Sequence, residues 1–182
     1  MKYIKLFELF ESYEDYSNSD VNQEFLRQIF NSEVDLNKIK TLLELDLIDV
    51  DMKDSYSFTP LHWASKKGNS ELVKILLEKG SNINSKNIAG LTALDLASKG
   101  SNPETIKVLL EAGADVNSVS KNGMTPICFA SITGNLESVK NLIEFGADVN
   151  VKDNNGYSPL YWAKEYNHEE VVQFLEENGV II

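Results

Sequence analysis

The 182-residue chain carries 28 Asp and Glu against 17 Lys and Arg, a formal net charge of −11. That field repels phosphate backbones and offers no basic stripe, which argues against nucleic-acid binding, while an apolar fraction of 42 % is enough for a continuous core. A single cysteine, Cys128, rules out an intramolecular disulfide. No run approaches the roughly 18 apolar residues of a membrane span, so a cytoplasmic protein without a cofactor is expected.

At the start, Tyr3, Leu6, Phe7, Phe10 and Tyr13 recur at helical spacing, with Ile4 and Leu9 widening the apolar face. Lys5 and Glu8 interrupt the stretch and argue against a secretory signal. Residues 1–20 are therefore expected to form an amphipathic helix followed by an acidic linker from Ser12 to Asp20. This helix either shields the neighbouring unit or docks in a partner's groove. Its Glu-bearing polar face argues against a membrane surface. A helical stretch from Asp35 to Glu44 and an extended Asp49-Val50-Asp51 follow, within a unit spanning 21–54.

From Thr59 onward the chain repeats itself every 33 residues. The signature is Thr59-Pro60-Leu61-His62-Trp63-Ala64, then Thr92-Ala93-Leu94-Asp95-Leu96-Ala97, Thr125-Pro126-Ile127-Cys128-Phe129-Ala130 and Ser158-Pro159-Leu160-Tyr161-Trp162-Ala163. A hydroxyl followed by proline starts a helix, because the hydroxyl caps free amides and proline at the first helical position loses no bond. A short helix is expected, then a turn at Gly68-Asn69, Gly134-Asn135 and their equivalents. A longer apolar helix follows, ending at Gly80, Gly113, Gly146 and Gly179. Ala89-Gly90, Asn122-Gly123 and Asn155-Gly156 mark tight turns before the next unit. A period of this length means a stack in which each unit contacts its neighbours.

With these elements in phase, the chain resembles the ankyrin-repeat family. The matching residues are Thr-Pro-Leu-His-x-Ala, the Gly-Asn turn and the Gly-Ala-Asp-Val-Asn loops at 146–150 and 113–117. The resemblance implies an all-α solenoid of helix-turn-helix units joined by β-hairpin-like loops, with repeats starting near 55, 88, 121 and 154 and a degenerate capping repeat over 21–54. Ser57, Ala93 and Asn167 depart from the family's glycine, proline and glycine. The closing Val180-Ile181-Ile182 is expected to pack on the last helix pair or to form a binding tip.

Nothing in the sequence spells out catalysis. His62 and His168 lie about three repeats apart and share no metal; His62, Asp95 and Cys128 occupy one position of the motif and read as structural. The resemblance implies a non-catalytic, monomeric protein-interaction module, whose concave face binds a protein partner. Mapped onto this chain, that face comprises Tyr56, Phe58, Lys66, Lys67, Ile88, Leu91, Lys99, Met124, Ile132, Tyr157, Glu165 and Tyr166. An apolar, aromatic-ended band beside Lys66, Lys67 and Lys99 suits a partner with apolar anchors and some acidic residues. The alternatives are a regulator that occludes an enzyme or toxin, or an asparaginyl-hydroxylase substrate modified at Asn84, Asn117 or Asn150.

Overall fold

The computed structural model describes residues 18–30, 34–44 and 48–179. The expected helix over Tyr3–Tyr13 and the Val180–Ile182 tail lie outside these residues. Among the described residues there are ten helices and no strand. The degenerate unit supplies α1 (Asn18–Phe30) and α2 (Leu36–Leu43). The four full repeats supply short and long helices in alternation. These are α3 (Pro60–Lys66) and α4 (Ser70–Glu78), α5 (Ala93–Lys99) and α6 (Pro103–Glu111), α7 (Pro126–Thr133) and α8 (Leu136–Glu144), and α9 (Pro159–Glu165) and α10 (Glu169–Glu177). None of the described helices is long and apolar enough to cross a membrane.

The helix starts follow the motif. Thr59 accepts from the His62 amide while the His62 ring accepts from the Thr59 amide, a reciprocal capping box that Thr92 and Asp95 repeat. Asn69 and Asn135 cap the longer helices α4 and α8 through their side-chain oxygens. Asn18, Ser19 and Asp20, at the end of the stretch read as a linker, form the start of α1.

The short helices α3, α5, α7 and α9 stack in one layer and the long helices α4, α6, α8 and α10 in a second. Between the layers run rows of equivalent residues with no solvent access, such as Ala64, Ala97, Ala130 and Ala163, and Leu76, Leu109, Leu142 and Leu175. Alanine at the first row lets neighbouring short helices approach closely, and leucine at the second fills the space beneath. Val21, Phe25 and Ile29 of α1 bury fully against this core, which continues through Ile39 and Leu42 of α2. Helix α1 is fixed to α2 by Glu24, whose carboxylate takes Lys38 at 2.8 Å, Gln28 at 2.7 Å and Arg27 at 3.0 Å.

Two hydrogen-bonded series run along the stack. Each loop before a motif closes as a short finger: Phe58, Leu91, Met124 and Tyr157 present their carbonyls to the amides of Asp54, Asn87, Ser120 and Asp153. Adjacent finger tips are joined by single backbone bonds, Ile88 N to Tyr56 O, Lys121 N to Ala89 O, and Asn154 N to Asn122 O. The fingers are hairpin-like in this sense. At the tip of the first, Ser57 adopts φ 59° where its counterparts are Gly90, Gly123 and Gly156, so a serine bears the left-handed strain there.

The second series lies in the loops after the long helices. Side-chain oxygens of Asn22, Asp49, Asp51, Asn82, Asn84, Asp115, Asn117 and Asp148 accept, in turn, the backbone N–H of the next member, ending at the amide of Asn150. Its junctions between repeats are 2.9–3.0 Å long. One acceptor per step satisfies a loop amide that no helix or sheet would satisfy.

Candidate functional site: the concave face

Four equivalent positions line up along the finger side of the stack. At the finger tips, Tyr56 is 61 % exposed and Ile88 50 %, and the Ile88–Tyr56 backbone bond makes them neighbours. At the finger bases, Phe58 and Leu91 are half-buried, Met124 is only 7 % exposed and Tyr157 stands out into solvent. Phe58 packs its ring against Trp63 at 5.0 Å and His62 at 5.7 Å, so part of its surface belongs to the scaffold. Met124 faces the next repeat, whose Asn154, Trp162 and Tyr166 line one cavity with it.

The ends of the short helices supply the other side. Lys66, Lys99, Ile132 and Glu165 are equivalent, and the first two and the last are exposed. Lys66 holds its ammonium 4.8 Å from the centre of the Trp63 ring, a cation–π contact. Lys67 is placed differently from its neighbours: its Nζ donates to the Ile29 carbonyl at 2.7 Å, tying α3 to α1. Tyr166, its equivalent in the last repeat, is 51 % exposed.

The structure brings Met124, Ile132 and Tyr166 together. With Phe129 and Trp162 they line a cavity of about 360 Å³ between the third and fourth repeats, rimmed by Asn122, Asn154 and Asn155. Tyr157 stacks on Tyr161 at 4.1 Å with an interplanar angle of 10°, and both meet Trp162 edge-on at 5.5 Å. Tyr161 is a residue that reading the motif as scaffold overlooks. It holds the position of His62, Asp95 and Cys128, which the next repeat covers, and it is 38 % exposed in the last repeat.

The side chains at the motif position make bonds within the scaffold. Nδ1 of His62 accepts the Thr59 amide at 3.0 Å and pairs with its hydroxyl at 2.8 Å; Nε2 lies 3.0 Å from the Leu91 carbonyl. A carbonyl cannot donate, so Nε2 carries the proton and the ring is neutral. Burial holds its pKa below the ordinary value against the opposing pull of the Leu91 carbonyl. Burial likewise raises the Cys128 thiol. Asp95 is pushed up to about 6 by burial, despite its bonds from Thr92 and Ser118. Only 1 % exposed, it has an Oδ2 that accepts from Thr92 and Ser118 and an Oδ1 that meets no partner. A perturbed carboxyl often marks an active site, but this one is sealed between repeats with no open face for a substrate. His168 donates from Nε2 to the Ile132 carbonyl at 2.9 Å, its ring filling the space where Gly134 lacks a Cβ. Among the described residues no group of three or more His, Cys, Asp or Glu is placed to hold a metal ion.

Asn84 and Asn117 lie in the loop ladder, each giving its side-chain oxygen to the first amide of the next repeat's pair. Asn117 and Asn150 also donate from Nδ2 to the carbonyls of Gly146 and Gly179. All three are exposed, on the edge of the stack where the long helices end.

A helical repeat solenoid, built from paired helices and interlocked fingers, is the class of protein these features define. A family model described as ankyrin repeats (three copies) matches residues 30–120 and 94–182, and the chain belongs to the ankyrin-repeat family. Delta-latroinsectotoxin-Lt1a of Latrodectus tredecimguttatus is 42 % identical over 52 residues, which are 28 % of this chain and 4 % of the toxin. Ankyrin repeat, SAM and basic leucine zipper domain-containing protein 1 of Saimiri boliviensis boliviensis is 40 % identical over 48 residues, 26 % of this chain and 10 % of that protein. Scaffold protein ILK of Mus musculus is 38 % identical over 53 residues, 28 % of this chain and 12 % of the scaffold protein. The chain thus spans a small part of the length of the curated relatives it matches. Ankyrin repeats generally mediate protein–protein interaction, and the family is typically non-catalytic.

Proposed function

We propose that this chain is a protein-interaction module whose concave face, from the finger tips to the ends of the short helices, binds a protein partner. The observation that carries the reading is the exposure of Tyr56, Ile88 and Tyr166 at positions the repeat does not need for its core. Large apolar side chains left in water on one face are what interfaces are anchored on. The reading places the module in the cytoplasm, a reducing setting that suits the free, buried thiol of Cys128. It includes the case in which the partner is an enzyme occluded by this face.

The test is affinity capture from native lysate with the wild-type chain and with Tyr56→Ala/Ile88→Ala/Tyr166→Ala. The three sites are exposed, so the variant is expected to keep the wild-type melting temperature and to lose the partners. Recovery of the same proteins by the folded variant refutes the face. Modification of the loop asparagines is a second reading, favoured by the exposure of Asn84, Asn117 and Asn150. It predicts a raised intact mass for the protein from its native source, and an unshifted mass removes it.

A further inference from the structure

The proposed binding face is not electrically uniform, and its sequence of charges identifies the kind of segment that fits it. Resting on the interaction reading above, we infer that the occupant is an extended acidic segment bearing two carboxylates and, beyond them, one large apolar side chain. The carboxylates face Lys66 and Lys99, and the apolar side chain enters the cavity between the third and fourth repeats.

Three observations converge on this pattern. Lys66 and Lys99 occupy successive steps of one row, both are exposed, and among the described residues neither has a carboxylate within 4 Å. In a chain with 28 acidic residues, two exposed lysines on successive repeats of the groove, the first with its ammonium over the Trp63 ring, form a local cationic field that favours an anionic segment. The third step of the same row is Ile132, which lines the cavity of about 360 Å³ with Met124, Phe129, Trp162 and Tyr166. Asp153 and the amides of Asn122, Asn154 and Asn155 complete its lining, so it takes an apolar anchor side chain flanked by peptide groups. The fourth step is Glu165, exposed, which repels a carboxylate placed there and so sets the register.

Geometry turns this order into a spacing. Packed helices stand about 8–10 Å apart, and a segment in the extended polyproline-II conformation advances about 3.1 Å per residue with three residues per turn, so every third side chain returns to one face. One repeat therefore corresponds to about three residues of the bound segment. The fitting pattern is carboxylate, two intervening residues, carboxylate, two intervening residues, large apolar residue, in either chain direction.

The experiment is panning of a random dodecapeptide phage library on the full-length chain, followed by binding of the enriched synthetic peptides to three folded proteins. These are the wild type, Lys66→Glu/Lys99→Glu and Tyr166→Ala. The expected result is enrichment of the stated pattern, with affinity reduced about tenfold or more by the double charge reversal, weakened by salt, and reduced by Tyr166→Ala. Enriched neutral or basic peptides that depend on Tyr166 but not on the two lysines overturn the acidic occupant while leaving the concave face intact. Peptides indifferent to all three positions overturn both readings. A selection that enriches no carboxylate-bearing sequence overturns the acidic occupant.

Discussion

His62 and Leu91 belong to successive repeats, yet they share a hydrogen bond of 3.0 Å from the imidazole Nε2 to the backbone carbonyl. Through it a residue in the first turn of one helix holds the finger of the next repeat, and the ring completes its other bond within its own cap. One repeat further on, Asp95 makes the internal bonds but is too short to carry a second donor across, and its Oδ1 is left buried without a partner. The junction between the second and third full repeats therefore lacks the side-chain-to-finger bond that His62 gives the first.

The first prediction concerns that junction. Asp95 has a folded pKa of about 6 against an ordinary value of 3.8, so between these values the folded state holds the proton more tightly. Its contribution is favourable below about pH 3.8, is lost as pH rises toward 6, and beyond that the buried charge is a standing penalty. A difference of this size between the folded and unfolded chain corresponds to about 2–3 kcal/mol. Asp95→His restores the two-sided bonding of His62 and is expected to stabilise the chain by about that order at pH 7.5 and by much less at pH 5. Urea unfolding of both proteins at the two pH values checks it; equal differences at both would refute the assignment.

The two tryptophans separate in a second test. Trp63 donates from Nε1 to Asp54 Oδ2 at 3.1 Å, while Trp162 Nε1 is buried with no acceptor. Removing one member of a made bond strands the other, whereas removing an unmade donor relieves a desolvation cost of about 1–3 kcal/mol. Trp63→Phe is expected to destabilise clearly more than Trp162→Phe, by about 1 kcal/mol or more, in the midpoint of chemical denaturation. Similar losses would contradict the bonding.

Thr105 provides a third. Its hydroxyl is fully buried in α6 without a partner, in the row where Leu72 and Val171 are also buried. Thr105→Val keeps the shape and removes the orphan oxygen, so stability is expected to rise by about 1 kcal/mol. For a chain of this size that raises the melting temperature by about 2–4 °C; a fall would show that the hydroxyl is satisfied in solution.

A fourth concerns the loop ladder. Asn117→Ala removes the acceptor of the Asp148 amide and the donor to the Gly146 carbonyl. Exposed bonds of this kind are worth about 0.5–1.5 kcal/mol each. In a stack stabilised by neighbour terms the loss falls on the junction between the second and third full repeats. Hydrogen exchange is expected to speed up across α7 and α8 and to leave α3 and α4 unchanged; a uniform change along the chain would refute a local link.

Much of this architecture is legible in the sequence because the residues that build it are the ones that repeat. Thr59, Pro60, Leu61 and Ala64 recur every 33 positions, with few replacements, and each has a stereochemical task that few other residue types perform as well. The helix α1 is less legible: Val21, Phe25 and Ile29 are spaced for a buried face, but they carry no motif and follow a polar run. The candidate face is legible as a set of positions and not as a surface. The bond from Lys67 to Ile29, the burial of Met124 and the exposure of Tyr161 depend on which neighbours are present, and a pattern within one repeat does not contain its neighbours. Charge order along the groove, by contrast, follows directly from reading Lys66, Lys99, Ile132 and Glu165 as one column.

The loop ladder from Asn22 to Asn150 has a consequence for how such a chain changes length. Each junction uses the same pair of groups, a side-chain oxygen of one unit and a backbone N–H of the next. A duplicated or deleted unit therefore regenerates the junction it interrupts, with no compensating substitution elsewhere. Gains and losses of whole 33-residue blocks are chemically silent at the seams, whereas a single inserted residue leaves one donor and one acceptor facing the wrong neighbour. Selection on the number of units is thereby uncoupled from selection on their contents, and the groove can be lengthened toward a longer partner segment by copying alone.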